Sequence, residues 1–510
     1  MRLEPKTFLA STVVSLLVLL LGYVFWVDRL VIPEPGIPGA YGQLLLESGA
    51  ELQGKVVVES GSNSQYGIDP LVLSDYFRAP VLIVAVNANF PLRLKIQNLG
   101  RYLLPGDVLI LPLEWNMFID DHVLTDDFID VITADQLNAS YYYHNLPSLQ
   151  RIRFVLQQLP LQAVAGTTFK SKAEGVQTRD VLTRLEQYRD YARHPNAAAF
   201  GAAPSRKAPA AGAPQGCNGY VLGHQIFRTG FVISDEFRAA LKSLRVLRER
   251  GVRVVFTWPS VADSEGSRCY GNGSLGEEIA QYADDIRAIV EKEGYPMIGA
   301  VNDARFPARC FADTHYHLTR ECAIERTEQL VAELAAAGIE PVNSEASLND
   351  LRVATERLVG SDMERTIAQL ESELHPLETA RLTRFDQPDV VLGGWYQPSA
   401  TGVWSKGNTS TIVFRLPADM PTQNGVTLTL TGRYFNGREA TVVTLNALTQ
   451  GAHDLSNAEF QVPFNAIADG IVRLVIEHQE PVSPLQLGIS QDPREIKYQL
   501  TAIEVVPSSG

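Results

Sequence analysis

Cysteine is scarce in this sequence, and its few copies lack the spacing of a metal site. The chain contains no CxxC pair and no histidine at finger-like spacing from a cysteine, which argues against structural zinc. An even cysteine count in an oxidising compartment predicts two disulfides with three possible connectivities, among Cys217, Cys269, Cys310 and Cys322. The alternative is a set of buried free thiols. We expect neither a metal nor a cofactor.

Positive charge is also in short supply. The chain has 44 Lys and Arg residues against 58 Asp and Glu, for a formal net charge of -14. Nucleic-acid binding needs clustered basic residues that neutralise phosphates, so a nucleic-acid partner is not expected. Long-range attraction to a strongly anionic polymer is not favoured either.

Only one long apolar run occurs, at residues 8–27, and its length matches the hydrocarbon thickness of a bilayer. Arg2 and Lys6 precede it, which predicts a short cytoplasmic N-terminus. No small-x-small cleavage site follows, so an uncleaved signal anchor is favoured over a removed signal peptide. We therefore predict a cytoplasmic stub and transmembrane signal anchor at 1–28, a juxtamembrane connection at 29–53, and the bulk of the chain outside the cytoplasm.

Beyond the anchor, continuous apolar strand-like runs alternate with amphipathic helical stretches, which indicates a parallel sheet covered on both faces. These runs predict an α/β domain over 54–345. A long insertion interrupts it at about 116–250, and its Ala/Pro/Gly-rich stretch at 194–216 is expected to be a disordered loop. Charged helical spacing then predicts a helical linker at 346–384. Short alternating strands with Gly, Asn and Pro turns predict an all-β sandwich at 385–510.

The loop in "VVVESGSNSQYGIDP", residues 56–70, offers three candidate nucleophiles, Ser60, Ser62 and Ser64. Asp69 and Pro70 form a helix-start pair, so the residues before them make the turn after the first strand. Open α/β sheets bind ligands at this edge. The loop by itself fits two interpretations, a nucleophile or a polar turn.

A second segment, residues 310–334, could supply the partners of a serine nucleophile. Such a serine needs a base to accept its proton and a carboxylate to orient the base. Asp313 and His317 offer both within one short loop, and His315 is a competing base. The alternative is a pair of polar loop histidines beside a disulfide.

Taken together, the two segments resemble the SGNH (GDSL-like) hydrolase superfamily, and more narrowly its branch in cell-envelope polysaccharide O-acetylation and teichoic-acid D-alanyl transfer. The triplet Ser60-Gly61-Ser62 precedes a Gly-Ile-Asp-Pro segment at 67–70, and residues 313–318 match the family's Asp…Tyr-His-Leu loop. The resemblance implies a three-layer α/β/α fold. It also implies Ser62 as nucleophile, His317 as base and Asp313 as the orienter of that base.

The blocks between these two ends depart from the family pattern. Where the family has a glycine and an asparagine as oxyanion donors, this sequence offers Asn87 and Asn89 after the second strand and Glu114 and Asn116 after the third. Asn89 and Asn116 are suited to donate to an oxyanion, whereas an ionised Glu114 is not. Glu114 is expected to contact substrate or anchor a loop. Glu59 and Ser60 replace the usual leading glycine.

The C-terminal region is similar to β-sandwich modules attached to bacterial glycosyltransferases and polysaccharide-processing enzymes, through residues 394–417 and 483–505. Trp395, Tyr396 and Trp404 are candidates for a carbohydrate-binding platform, since aromatic faces suit sugar rings. The alternative places them in the sandwich core. Arg494 with Asp492 is read as a strand-end ion pair.

The resemblance implies a single-pass protein of the bacterial inner membrane whose bulk lies in the periplasm. Its function would be that of an acyltransferase or esterase that O-acetylates or deacetylates an extracellular polysaccharide through an acyl-enzyme at Ser62. Its expected partners are the polysaccharide and a membrane-embedded acyl donor protein. The alternative is a non-catalytic scaffold or sugar-binding subunit of a polysaccharide synthesis or export complex.

Overall fold

The computed structural model describes a defined part of the chain: residues 5–27, 41–85, 90–119, 146, 148–158, 174–193, 232–263, 274–311, 316–437, 439–479, 481–485, 487–490, 494 and 496–508. Several predicted features lie outside these residues, namely residues 29–40 of the connection at 29–53, the stretch at 194–216, Asn87, Asn89, Cys217, Cys269, Asp313, His315 and Asp492. The described residues divide into two compact units. One comes from 1–172 and 190–358, and the other from 173–189 and 359–510.

The first unit is built on a four-stranded parallel sheet in the order β2-β1-β3-β4. Its strands are β1 (Val56–Val58), β2 (Val81–Ile83), β3 (Val108–Leu111) and β4 (Arg253–Phe256). All four come from the continuous apolar runs that predicted them. A parallel bridge from Phe256 to Met297 extends the sheet beyond β4. A separate parallel pair joins β5 (Val261–Asp263) and β6 (Arg305–Pro307).

Twelve α-helices are described in the chain, and not all of them belong to the first unit. In chain order they are α1 (Pro5–Trp26), α2 (Tyr41–Ser48), α3 (Ser62–Gly67), α4 (Pro70–Phe77), α5 (Leu92–Leu99), α6 (Asn116–Ile119), α7 (Ser148–Arg153), α8 (Glu174–Arg193), α9 (Asp235–Glu249), α10 (Ser274–Lys292), α11 (Arg320–Ala336) and α12 (Leu348–Glu373). A π-helical turn at Phe154–Gln158 follows α7. The division between the two units falls within α12, after Leu358.

The two faces of the parallel sheet bury separate apolar cores. Val57 and Leu109 point into one core, which α5, α9 and α10 cover. Val56 and Val108, their neighbours along the strands, point into the other core with residues of α4 and α11. Alternation of side chains along a strand produces this division. The mixed α/β fold with a parallel sheet is therefore confirmed.

Helix α4 begins where the sequence predicts, because Asp69 caps it. The Asp69 carboxylate accepts hydrogen bonds from the N–H groups of Leu71 and Val72, and Pro70 occupies the first helical position. The N–H of Asp69 in turn donates to the Thr327 hydroxyl of α11 at 2.8 Å. The turn after β1 is thus tied to the helix that follows the predicted histidine loop.

Helix α1 covers most of the apolar run of residues 8–27, and its side chains are described from Ser11 onward. Many of them are exposed, including Leu16, Leu19 and Phe25. Within the part of the chain that the structure describes, no helix is both long enough and apolar enough to cross a membrane. The membrane anchor at 1–28 stays a prediction.

The second unit is a pair of antiparallel sheets that face a shared apolar core. One sheet has the order β13-β12-β15-β10-β8, from β8 (Val390–Gly393), β10 (Thr409–Arg415), β12 (Thr441–Leu445), β13 (Leu448–His453) and β15 (Ile471–Glu477). The other has the order β14-β11-β16-β7 with β9 beside β16, from β7 (Arg381–Leu382), β9 (Val403–Trp404), β11 (Val426–Tyr434), β14 (Asn457–Val462) and β16 (Tyr498–Pro507). Strands of period two with one buried face give this arrangement.

Two helices within the predicted insertion at about 116–250, α8 and α9, pack as parts of the two compact units. Helix α9 packs its buried residues, among them Phe237 and Leu244, into the core of the first unit, so the scaffold resumes at Ser234. Most of α8 groups instead with the second unit, where the Glu186 carboxylate accepts a hydrogen bond from the N–H of Gly394. An apolar stripe predicts that a helix packs, but it does not specify which surface it packs on.

Candidate active site at the carboxyl ends of β1 and β3

The order β2-β1-β3 makes the carboxyl ends of β1 and β3 a topological switch point, the place where open α/β sheets form their binding crevices. After β1 the chain turns through Gly61 into α3, whose first residue is Ser62. After β3 it runs through Pro112 and Leu113 to Glu114. The fold thus brings Glu114 to the start of α3 from a position about fifty residues away, and the backbone N–H of Asn63, the residue after Ser62, donates to the Glu114 carboxylate.

Glu114 is held firmly in this position. Its side chain is only 4% exposed, and Oε1 accepts a hydrogen bond from the backbone N–H of Asn63 at 3.0 Å. Burial raises the pKa of Glu114 to about 7, against the lowering effects of that N–H, of the Lys95 ammonium and of the Ser62 hydroxyl.

A buried ion pair lies beside Glu114. The ammonium of Lys95 on α5 lies 3.2 Å from Glu59 Oε1 and also donates to the carbonyl of Ser60. Burial raises the pKa of Glu59 to about 7, and Lys95 opposes that rise. Lys95 thus pairs with Glu59, and its charge also acts on the buried Glu114. Such an arrangement retains a proton more readily than a one-to-one pair does.

The three serines of the loop have different roles. Ser60 is fully buried, and its hydroxyl donates to the carbonyl of Pro112 at 2.8 Å and accepts from the N–H of Glu114 at 3.3 Å. Ser64 is fully buried as well, and its hydroxyl has no hydrogen-bond partner. Ser62 is half-buried and is the one of the three that remains accessible. The loop therefore joins β1 to β3 through Ser60 and leaves Ser62 at the surface of the site.

The predicted histidine loop is anchored at both ends. Cys310 and Cys322 form a disulfide with their Cα atoms 5.6 Å apart, which confirms a disulfide for this pair and excludes free thiols there. Phe311 pairs with Leu318 in an antiparallel bridge. Further along α11, the buried Arg326 pairs with Glu333 at 3.1 Å and donates to the carbonyl of Trp258 after β4. The disulfide therefore ties the histidine loop to α11, and the contacts of Arg326 hold α11 against the segment after β4.

Two contacts connect this loop to the switch point. The imidazole ring of His317 lies 4.3 Å, centroid to centroid, from the ring of Tyr66 on α3. The backbone N–H of Trp115 donates to the Tyr316 hydroxyl at 3.4 Å. The structure thus places the loop of His317 against both the Ser62 helix and the Glu114 turn. Asp313 and His315 lie outside the described residues.

Of the predicted oxyanion donors, Asn116 can be located. It begins α6, and its side-chain Oδ1 is buried with no hydrogen-bond partner. Asn63, which the sequence did not single out, donates through Nδ2 to the carbonyl of Pro112 at 2.6 Å and also has a buried Oδ1 without a partner. Asn87 and Asn89 lie outside the described residues.

Lys95 is the main residue of the site that sequence reasoning missed. Leu92, Ile96 and Leu99 mark the apolar stripe of α5, and Lys95 falls on the same stripe. A lysine at such a position is rarely buried unless it is paired. That signal, read together with Glu59 directly after a buried strand, would have pointed to a buried ion pair.

The aromatic residues proposed as a carbohydrate platform in the second unit fall into two groups. Trp395 is 4% exposed, lies in the sandwich core and donates from Nε1 to the carbonyl of Thr411 at 2.9 Å, so its faces are unavailable to a sugar. Tyr396 and Trp404 are half-buried. Arg433 lies over the Trp404 ring, and both Lys406 and Arg494 lie over the Tyr396 ring. Core packing, the alternative reading, accounts for Trp395.

Comparison with known proteins adds no assignment. No family model matches the chain, and no curated protein matches it. Within the described ranges, no group of three or more His, Cys, Asp or Glu side chains is arranged to hold a metal ion. The case for a function therefore rests on Ser62, Glu114 and His317 and on the contacts that bring them to one edge of the sheet.

Proposed function

We propose that this protein is an SGNH-type serine acyltransferase or esterase that acts on an extracellular polysaccharide. Ser62 attacks the acyl carbonyl and becomes acylated, and the acyl group then passes to a sugar hydroxyl or to water. His317, oriented by Asp313, is the base that the family resemblance implies. O-acetylation or its reversal is the reaction that this resemblance favours.

One observation carries the proposal. Ser62 lies half-buried at the switch point of a parallel sheet, and the His317 loop packs against the same short helix through the contact of His317 with Tyr66. A nucleophile and its base must lie within hydrogen-bond reach of each other, and here the two residues come from separate segments of the chain. If residues 59–68 were only a polar turn, the distant histidine loop would have no reason to lie beside Ser62. A catalytic serine needs that proximity.

The remaining parts of the proposal follow from the sequence. The apolar run at 8–27 would anchor the chain in a bacterial inner membrane, with both units in the periplasm, where the Cys310–Cys322 disulfide is stable. A membrane-embedded protein would supply the acyl group. The sandwich unit would contact the polysaccharide through Tyr396 and Trp404.

A non-catalytic scaffold is the second candidate, and one observation favours it. Glu114 occupies a block where the family has an oxyanion donor, and its carboxylate accepts a hydrogen bond from the N–H of Asn63, the residue after Ser62. An ionised carboxylate next to the nucleophile would repel a developing oxyanion. In this role the sandwich unit would bind the polysaccharide while the first unit only organises a complex.

Covalent labelling separates the two candidates. The full-length protein is treated with a fluorophosphonate, which reacts with activated serines, and the labelled residue is mapped by peptide mass spectrometry. We expect labelling at Ser62 and its loss in Ser62→Ala. Ser64→Ala is the matched control and should label like the wild type, since the Ser64 hydroxyl is buried without a partner.

Two outcomes contradict the enzyme. Absence of label on the folded wild-type protein favours the scaffold. Undiminished labelling of Ser62→Ala shows that another serine reacts.

A further inference from the structure

The geometry points to Tyr66 as the residue that positions His317 beside Ser62. This inference rests on the proposed function and deepens it, because it concerns the base that acts on the serine. Tyr66 lies four residues after Ser62 on α3, and the sequence did not single it out. Its role is that of a positioning residue, which acts on the imidazole and not on the substrate.

Helix α3 divides its residues between the interior and the open side of the site. Asn63, Ser64 and Gly67 are buried, whereas Ser62 and Tyr66 are half-buried. Residues four apart lie on the same face of a helix, so the side chains of Ser62 and Tyr66 share the open face of α3. A base that contacts the Tyr66 ring is therefore held on the side of α3 that carries Ser62.

The histidine loop meets α3 at two neighbouring positions. The rings of His317 and Tyr66 lie 4.3 Å apart, centroid to centroid, with an angle of 49° between their planes. The next residue, Leu318, is fully buried and packs over Gly67, where its Cδ1 lies 3.8 Å from the position of a Cβ on that glycine. These two contacts together place the imidazole against the Tyr66 ring.

Both sides of this contact are anchored elsewhere. On the side of the loop, the N–H of Thr319 donates to the carbonyl of Cys310 at 2.7 Å, and Cys310 is joined to Cys322 by the disulfide. On the side of α3, the N–H of Asn63 donates to the Glu114 carboxylate at 3.0 Å. Because the loop and the helix are each held by other contacts, loss of the aromatic ring between them changes chiefly the surroundings of the imidazole.

The ring contact matters most when the imidazole becomes charged. Ser62 Oγ forms a bond to the acyl carbon, and its proton passes to His317, which becomes an imidazolium. The bond from the acyl carbon to the donor oxygen then breaks, and that oxygen takes the proton from His317. A cation within about 6 Å of an aromatic centroid is attracted by the electron-rich face of the ring. Tyr66 thus stabilises the charged base and holds its orientation while the proton is transferred.

The test is the pre-steady-state burst of 4-nitrophenyl acetate with the full-length protein at pH 8, where an ordinary imidazole is neutral. The burst rate measures acylation of Ser62. Tyr66→Leu removes the ring, and we expect it to slow the burst about 2- to 30-fold, the range that a cation–π contact supplies. Tyr66→Phe keeps the ring and should retain the wild-type rate. Tyr76→Leu is the matched control on α4, where the ring lies against Phe77, and should also retain that rate.

Proton NMR of the same proteins, labelled with ¹³C-histidine, shows whether the effect passes through the imidazole. An aromatic ring at 4.3 Å shifts the imidazole proton signals of His317, which are assigned by their loss in His317→Gln. We expect these signals to move in Tyr66→Leu and to stay in place in Tyr66→Phe and Tyr76→Leu.

Different failures have different meanings. The role of Tyr66 is overturned, while an acyl-enzyme at Ser62 stands, if Tyr66→Leu keeps the wild-type burst rate or if Tyr66→Phe slows the burst as much as Tyr66→Leu does. A slower burst in Tyr66→Leu with unmoved His317 signals overturns it as well. If the wild type shows no burst, or Ser62→Ala shows the same burst, the proposed function itself fails, and the role of Tyr66 fails with it.

Discussion

The two ends of the central strands β1 and β3 both bury charged groups, but they treat them differently. At the amino ends, Lys55 and Asp107 are fully buried and form a one-to-one ion pair at 2.7 Å. At the carboxyl ends, the ammonium of Lys95 pairs with Glu59 at 3.2 Å, and its charge also opposes the rise in the pKa of the buried Glu114. Each buried charge at the amino ends has one partner of opposite charge, whereas the carboxyl ends bury two carboxyls and one ammonium.

The amino end is saturated with hydrogen bonds. Asp107 accepts from the N–H groups of Gly54, Lys55 and Leu104, and the Lys55 ammonium also donates to the carbonyl of Leu52. The carboxyl end leaves buried atoms without hydrogen-bond partners, among them Asn63 Oδ1 and Ser64 Oγ. The difference teaches that burial of charge alone does not mark a site. Incomplete pairing at the edge where open α/β sheets bind their ligands makes the carboxyl end the candidate site.

The sharpest contrast comes from Asp107→Ala. This change leaves Lys55 buried without its counter-charge and removes the acceptor of three backbone N–H groups. We expect it to destabilise the first unit by about 3–5 kcal/mol. Hydrogen exchange of the β1 and β3 amides measures this locally. Wild-type protection in the variant would mean that the amino-end pair is not structural.

The carboxyl end should instead affect stability through pH. Because burial raises the pKa of Glu114 from 4.5 to about 7, the folded state binds its proton more tightly than the unfolded state does. This contribution is complete below pH 4.5 and is lost as the pH rises through 7. Relative to the wild type, Glu114→Gln should therefore gain up to about 3 kcal/mol between pH 4.5 and 8.

The measurement is the same amide exchange, followed across pH in both proteins and corrected for the intrinsic exchange rate. A stability difference that stays constant with pH would show that the carboxyl titrates normally and would remove the electrostatic contrast between the two ends.

The smallest expected effects are on the free energy of unfolding, and they differ between Ser60 and Ser64 of the loop after β1. Ser60→Ala removes a hydroxyl that bonds to Pro112 and Glu114, and we expect a loss of about 1–3 kcal/mol. Ser64→Ala removes a buried hydroxyl that has no partner, and its cost should stay under about 1 kcal/mol. Urea unfolding of the pair measures the difference. Equal effects would contradict the distinct roles of Ser60 and Ser64.

Much of the fold was predictable because its signals are local. The β-branched runs of β1 and β3 and the Asp69-Pro70 helix start are short-range patterns, and the structure has the expected elements at each. The destination of α8 was not predictable, because an amphipathic stripe fits more than one apolar surface. The sequence left Trp395 open between the sandwich core and a binding face for a related reason, since an aromatic residue in a β-rich segment suits both equally, and the structure has it in the core.

Individual residues of the candidate site could be predicted from the sequence, but the contacts between them could not. Ser62 and Glu114 stand after recognisable strands, and ligands bind at that edge of such a sheet. The contact of Glu114 with the start of α3, and the burial of the Lys95–Glu59 pair beside it, depend on which strands become neighbours. That pairing joins segments about fifty residues apart and follows from the whole fold. Asp313, His315 and Asn89 stay predictions.

The most direct test of the central claim is to trap the acyl-enzyme. The full-length protein is mixed with 4-nitrophenyl acetate, quenched in acid within the burst, digested and analysed by peptide mass spectrometry. The claim that the carboxyl ends of β1 and β3 form an acyl-transfer site predicts one acetyl group on Ser62 and none in Ser62→Ala. A wild-type protein that carries no acetyl group on Ser62, or carries it on another serine, would contradict it.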